Sequence, residues 1–238
     1  MMVRLASSCL ALGLLAFAGG RAEAQLVTPM VTNLAPSGKD SLRTIAFRNT
    51  QANRAAVEVT VSRRSYDEQG RSIDVEMPGD VEIAPAMFIL APGAEQKVRV
   101  RYTGPAILPA STTYAIAFRQ VPLSAVGDAS QVRMLFDIRA LAHVVPEGAT
   151  PGLAIGGTTA EGSVARVTFV NRGTRYGRLD HAPLRLRASG RTVEIDAATL
   201  RDRFDLRWID PGASRTVQLP LGFKADGPVT AEWLTPES

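Results

Sequence analysis

Short runs of alternating apolar and polar residues follow one another along most of the chain. Val57, Val59 and Val61 alternate with Glu58, Thr60 and Ser62. Val98, Val100 and Tyr102 alternate with Lys97, Arg99 and Arg101, and Tyr114, Ile116 and Phe118 form a third row up to Pro122. Period-2 alternation sends successive side chains to opposite faces of a strand, so each run predicts a half-buried β-strand. Turn signals separate them: Asn49-Thr50, Asp67-Glu68-Gln69-Gly70, Leu90-Ala91-Pro92-Gly93 and Gly104-Pro105. No stretch keeps a 3.6-residue apolar period beyond two turns. Short strands at this regular spacing predict an all-β chain built of immunoglobulin-like sandwiches.

The longest run is Gln131–Val145 (QVRMLFDIRALAHVV), closed by Pro146. Val132, Met134, Phe136, Ile138 and Ala140 recur at every second position, with Arg133, Asp137 and Arg139 between them and Leu135 the one break. A strand that serves only its own sandwich needs few apolar positions on a face. This row is longer, and its middle is unbranched or aromatic, a surface that adapts to a partner. The residues alone leave two readings open: a last core strand, or a row lent to another protein.

Val145–Gly152 (VPEGATPG) is rich in Pro and Gly and marks a boundary. Beyond it the pattern restarts. Val167–Asn171 (VTFVN) echoes Ile45–Asn49 (IAFRN), and Ile209–Val217 echoes Leu90–Val98, with Pro-Gly-Ala and a later Val at matching offsets. The echo predicts two sandwiches of related plan, with a leader over 1–24, a first domain over 25–146 and a second over 147–238. Ala197–Phe204 reads as a single helical turn.

Composition adds a compartment. Arg4, the apolar run Leu10–Ala18 and Ala22-Glu23-Ala24 have the layout of a secretory signal peptide cut before Gln25. The run is too short to span a bilayer. Cys9, the one cysteine among 238 residues, lies ahead of the run and leaves with the leader, so the mature chain is held by burial alone. The formal charge of +4 is almost all arginine. Those arginines are scattered along strand-like runs without interleaved aromatics, which argues against nucleic acid. Guanidinium groups suit fork-like pairing with carboxylates, including a partner's.

Catalytic chemistry finds little footing. His143 and His181 are the only histidines, and neither has ligands at a metal-binding spacing. No nucleophile elbow occurs, and Gly156-Gly157 with Gly162 lacks the Lys-Ser/Thr of a phosphate loop. The reading is of a protein that is not an enzyme and holds no metal or cofactor. A passive exported scaffold of two sandwiches stays open as the alternative.

Phe47-Arg48-Asn49-Thr50, Leu90–Val100 (LAPGAEQKVRV), Leu108-Pro109, Tyr114–Pro122 (YAIAFRQVP) and the alternating run ending at Pro146, in this order after a leader, resemble the periplasmic chaperones of the chaperone–usher pilus pathway. The resemblance implies two immunoglobulin-like domains in an L-shaped arrangement. It implies that pilin or fimbrial subunits are bound at the first domain and in the cleft, and are delivered to an outer-membrane usher. Strand addition suits the long row: it satisfies a subunit's unpaired edges and fills its groove with alternating side chains. On that pattern Val132, Met134, Phe136 and Ile138 are the lent residues, each contributing roughly 1.5–3 kcal/mol on full burial. An unoccupied apolar edge also predicts self-association of the free protein. In better-known members an early Arg and a Lys on the lending strand anchor the subunit's terminal carboxylate. Here Thr28-Pro29-Met30-Val31 has no Arg, and the Lys position reads Leu141. That departure resembles the archaic branch, and it leaves Arg99, Arg119 and Arg139 as candidate carboxylate anchors.

Overall fold

The computed structural model describes residues 26–76, 79–122, 135–225 and 228–234, and within them the alternating runs form strands around two separate cores. The first group is β1 (Leu26–Thr28), β2 (Val31–Leu34), β3 (Leu42–Arg48), β4 (Ala55–Tyr66), β5 (Ser72–Glu76), β6 (Val81–Ala84), β7 (Met87–Leu90), β8 (Glu95–Tyr102), β9 (Thr112–Val121) and β10 (Asp137–Val144). One sheet runs β1-β3-β8-β6 and the other β2-β10-β9-β4-β5, with β7 also on β4. Their inner rows meet as the alternation predicts: Val57, Val59, Ile116 and Phe118 face Ile45, Phe47, Val98 and Val100 in one cluster. Phe47 and Phe118 stack across the two sheets at 5.7 Å between ring centres.

The second group is β11 (Leu153–Glu161), β12 (Val164–Asn171), β13 (Gly177–Arg178), β14 (Leu184–Ala188), β15 (Arg191–Ile195), α1 (Ala197–Phe204), β16 (Trp208–Ile209), β17 (Ser214–Pro220) and β18 (Val229–Trp233). Its sheets run β11-β12-β17 and β15-β14-β18, with the short pair β13-β16 beside them. The chain is all-β, two immunoglobulin-like sandwiches, with one α-helix among the described residues. That helix is longer than the single turn expected of Ala197–Phe204. Asp196 caps it by accepting from the Thr199 amide at 2.8 Å, and it ends where Asp205 adopts a left-handed φ of 50°. On β5 the apolar Ile73 and Val75 are 49 % and 55 % exposed. β5 pairs with Ser62–Tyr66, beyond Val61, the last β4 side chain that packs on the core.

The internal repeat has a physical basis in two asparagines. Asn49 is fully buried, and its amide donates to the carbonyls of Asn53, Leu90 and Ala91 at 2.9, 3.3 and 3.2 Å. Asn171 does the same for Arg175 and Ile209 at 2.7 and 3.2 Å. The backbones match as well: Gly93 N donates to Asn49 O and Gly212 N to Asn171 O, both at 2.8 Å. Each Pro-Gly-Ala turn is thus pinned to a strand end by one Asn. Asn49→Ala would leave the buried Leu90 carbonyl and the part-buried carbonyls of Asn53 and Ala91 without this donor, and is expected to destabilise the first sandwich by about 2–3 kcal/mol in urea unfolding. A loss below about 0.5 kcal/mol would show that the hub is dispensable.

Candidate functional site

β10 decides what the first sandwich offers outward. On one side it pairs with β9 along its whole length. On the other, β2 pairs in parallel with Leu141–Val144 only. The first bond on that side is Leu141 N to Met30 O at 2.8 Å, and the chain then leaves the sheet across Pro29. Among the described residues no strand pairs with Asp137–Ala140 on this side. Gln120 N donates to Phe136 O at 2.8 Å, so Phe136, Ile138 and Ala140 direct their backbone groups at β9. By alternation Asp137 and Arg139 present theirs to the open edge. Phe136 is half-buried, and Ile138 packs on the margin of the first core while keeping part of its surface exposed. Val132 and Met134 lie outside the described residues.

The other face of β10 carries charge. Arg139 Nη1 meets Asp74 Oδ2 at 2.7 Å and its Nη2 meets Asp137 Oδ2 at 2.9 Å. Asp74 is also gripped by Arg64, with Nε at 2.7 Å and Nη2 at 2.6 Å from its two oxygens. Arg119 stands 3.7 Å from Asp137. The hydrogen-bonding guanidinium groups of Arg64 and Arg139 hold Asp74 and Asp137, respectively, below the usual carboxylate range. Arg99 is elsewhere: on β8 in the opposite sheet, beside Glu82 and Arg101. Of the three candidate anchors, the structure brings Arg119 and Arg139 to one face and Arg139 alone to the cleft.

That cleft is a cavity of about 290 Å³ between the sandwiches. Arg64, Tyr66, Arg139 and Leu141 line it from the first sandwich, and Arg207, Trp208 and Arg215 from the second. Arg64 and Arg215 carry no motif, so nothing in the sequence singles them out. The β4–β5 turn reaches across as well: Thr216 N donates to Glu68 O at 2.9 Å, and the Arg215 guanidinium lies on Gly70.

Beside the cleft the two sandwiches meet around His143, which is fully buried. Its ring stacks on Tyr176 at 3.8 Å and lies 5.1 Å from that of Trp208. Its Nδ1 shares a hydrogen bond with Thr113 Oγ1 at 2.9 Å, and the same hydroxyl is 3.5 Å from Asp210 Oδ1. Burial, reinforced by the charge of Arg175, pushes His143 down from 6.5 to about 3. Burial pushes Asp210 up from 3.8 to about 6, against the opposing pull of Thr113, the Tyr66 amide and Arg63. The two act in opposite directions on stability. Below pH 6.5 the unfolded chain protonates at His143 and the folded chain does not, which lowers stability as pH falls. Below about pH 6 the folded chain protonates at Asp210 while the unfolded chain stays ionised down to 3.8, which raises it. Their contributions offset each other between about pH 6 and 4. Asp210→Asn removes the compensation, so its stability is expected to fall by up to about 1.4 kcal/mol per unit from pH 6.5 to 4.5, more steeply than the parent's. Urea unfolding at pH 7, 6 and 5 reads the difference, and equal slopes would refute the coupling.

Residues 26–148, more than half of the chain, match the family model described as the N-terminal domain of PapD, a pili and flagellar-assembly chaperone. Solved structures share the fold over nearly the full length. The class 5 fimbriae chaperone CfaA superposes with a TM-score of 0.57 at 13 % identity, covering 90 % of this chain and 100 % of its own. The Pseudomonas aeruginosa CupB2 chaperone gives 0.53 at 14 % identity over 88 % and 100 %. A chain from the Salmonella enterica SafA pilin–SafB chaperone complex gives 0.56 at 12 % identity over 89 % and 96 %. No curated protein matched by sequence.

Proposed function

This chain belongs to the pili and flagellar-assembly chaperone family, and we propose that it holds a pilus or fimbrial subunit by lending it the first half of the β10 strand. The observation that carries this is the open edge at Asp137–Ala140, flanked by the part-exposed Phe136 and Ile138. A subunit strand laid there gains backbone partners at Asp137 and Arg139, while the apolar row, extended by Val132 and Met134, fills its groove. Protein complexes with the pilin SafA and the tip subunit CsuE exist for chaperones of the same fold. We place the protein in the periplasm, reached through the leader over 1–24, with an outer-membrane usher as the acceptor of the subunit and self-pairing through the same edge when no subunit is present. The subunit's terminal carboxylate enters the cleft, where Arg139 is the one cleft-facing member of the three candidate anchors.

Co-expression with a pilin-like subunit encoded beside it tests the proposal. The expected result is a one-to-one complex that keeps an otherwise insoluble subunit in solution. A subunit that stays insoluble, with the chain recovered alone, would favour the passive scaffold.

A further inference from the structure

We propose that the outer face of the β1-β3-β8-β6 sheet, together with the Ile107 loop at its end, is a docking surface for an anionic lipid bilayer. The proposal goes beyond strand lending and does not depend on it. This face belongs to the sheet opposite β10, so the two surfaces do not overlap.

Alternation on β8 buries Val98, Val100 and Tyr102 and leaves Lys97, Arg99 and Arg101 exposed on the outer face. Neighbours on one face of a strand are about 7 Å apart, so the three cations form a row. Across the sheet Lys97 is opposite Ala46, Arg99 is opposite Thr44 and Ala84, and Arg101 is opposite Leu42 and Glu82. The short side chains beside Lys97 and Arg99 let both stand clear, with no carboxylate directly across from them. Arg48 adds a cation beyond Lys97, opposite Glu95. Among the described residues none of these four cations enters an ion pair. On the outer face of the other sheet, by contrast, Arg64, Arg119 and Arg139 are all held by Asp74 or Asp137. The β8 row therefore keeps its charge for a partner. Arg99 and Arg101 also border a shallow cavity of about 200 Å³ with Leu42, Glu82 and Ala84, room for a headgroup phosphate.

Ile107 decides which polyanion fits. It is 91 % exposed, more than any other large apolar side chain among the described residues, and it sits in the loop that β8 enters directly after Arg101 and Tyr102. That loop is held at both ends. Thr103 N and Gly104 N donate to Asp80 O at 2.8 and 3.2 Å, the Tyr102 hydroxyl donates to Pro105 O at 3.3 Å, and Leu108 packs on the first core. Ile107 is thus kept in water by a fixed backbone. A bilayer offers headgroup phosphates to the cations and an acyl boundary to the isoleucine, whereas a soluble polyanion offers Ile107 nothing.

Co-sedimentation of the mature chain with vesicles tests this, without a subunit present, so that strand lending stands or falls separately. At about 0.1 M salt, where the Debye length is about 10 Å, the expected result is binding to vesicles of phosphatidylglycerol and phosphatidylcholine in equal parts and none to phosphatidylcholine alone. K97Q/R99Q/R101Q should lower the partition coefficient at least about tenfold, and K97E/R99E/R101E should abolish binding. I107D should lower it about fivefold on vesicles and leave binding to soluble polyphosphate unchanged. R166E/R172E/R203E, the same charge reversal at exposed arginines of the second sandwich, should stay close to the parent. An equal loss in the two reversed variants would trace the effect to net charge and overturn the proposal. So would polyphosphate binding without vesicle binding, or an I107D variant that binds vesicles as the parent does. Should the triple variants not fold, the parent decides by the two vesicle compositions and I107D.

Discussion

Phe136→Glu is expected to abolish recovery of the subunit in complex while leaving the protein folded. Phe136 sits at the head of β10, half-buried, with its carbonyl bonded to Gln120 and its ring outside the first core cluster. Its own sandwich therefore loses little, and unfolding free energy should change by less than about 1 kcal/mol. In the complex the same ring would be buried in the subunit's groove. Removing it forfeits about 1.5–3 kcal/mol of apolar burial, and the carboxylate that replaces it must be desolvated without a partner. Together these predict at least a hundredfold loss of affinity, about 3 kcal/mol. Co-purification yield and urea unfolding of the free variant check the two halves. Full subunit recovery with an intact fold would mean that Phe136 is not lent.

Phe118→Ala should do the reverse. Phe118 lies on β9 at the next pairing position, opposite Ile138, but it is 1 % exposed and stacked on Phe47. Truncating a sealed aromatic leaves a cavity that the two sheets cannot close, at a cost of about 3–5 kcal/mol. The first sandwich is then expected to lose most of its stability, and subunit binding falls only because the binder unfolds. Thermal unfolding measured with and without the substitution tests this. A loss under about 1 kcal/mol would show that the inter-sheet core is far looser than its burial indicates. The pair of variants separates a side chain that belongs to the fold from one proposed to be lent to the partner.

The same distinction marks what could be read from residues alone. Alternation along Val57–Val61, Lys97–Tyr102 and Tyr114–Phe118 was enough to predict the strands and their inner faces, because period 2 fixes the face once one side is buried. The echo of Phe-x-Asn and Pro-Gly-Ala predicted two related sandwiches, and its cause is the Asn49 and Asn171 hubs. Residues 131–145 were legible as a strand, and within their described part, 135–145, the strand spans Asp137–Val144. What alternation does not carry is which edge of a strand is open. That depends on where β2 stops, a property of chain tracing around Pro29. Cleft residues were the least legible. Arg64 pairs with Asp74 across a hairpin, Arg215 reaches Gly70 from another sandwich, and His143 gains its surroundings from Tyr176 and Trp208. Such contacts join positions up to about 145 residues apart with no spacing rule. Arg99, Arg119 and Arg139 look equivalent in sequence, as arginines on strand-like segments, yet the sheet order sends Arg99 to the far side of the sandwich.

Amide hydrogen exchange at Asp137 and Arg139, measured with and without a bound subunit, tests strand lending most directly. Both N–H groups face the open edge, while those of Ile138 and Ala140 are bonded to β9. In the free protein Asp137 and Arg139 should exchange fast and their even-numbered neighbours slowly. On binding, Asp137 and Arg139 should become protected, with little change at Ile138 and Ala140. A bound subunit that leaves Asp137 and Arg139 exchanging as fast as before would contradict strand lending.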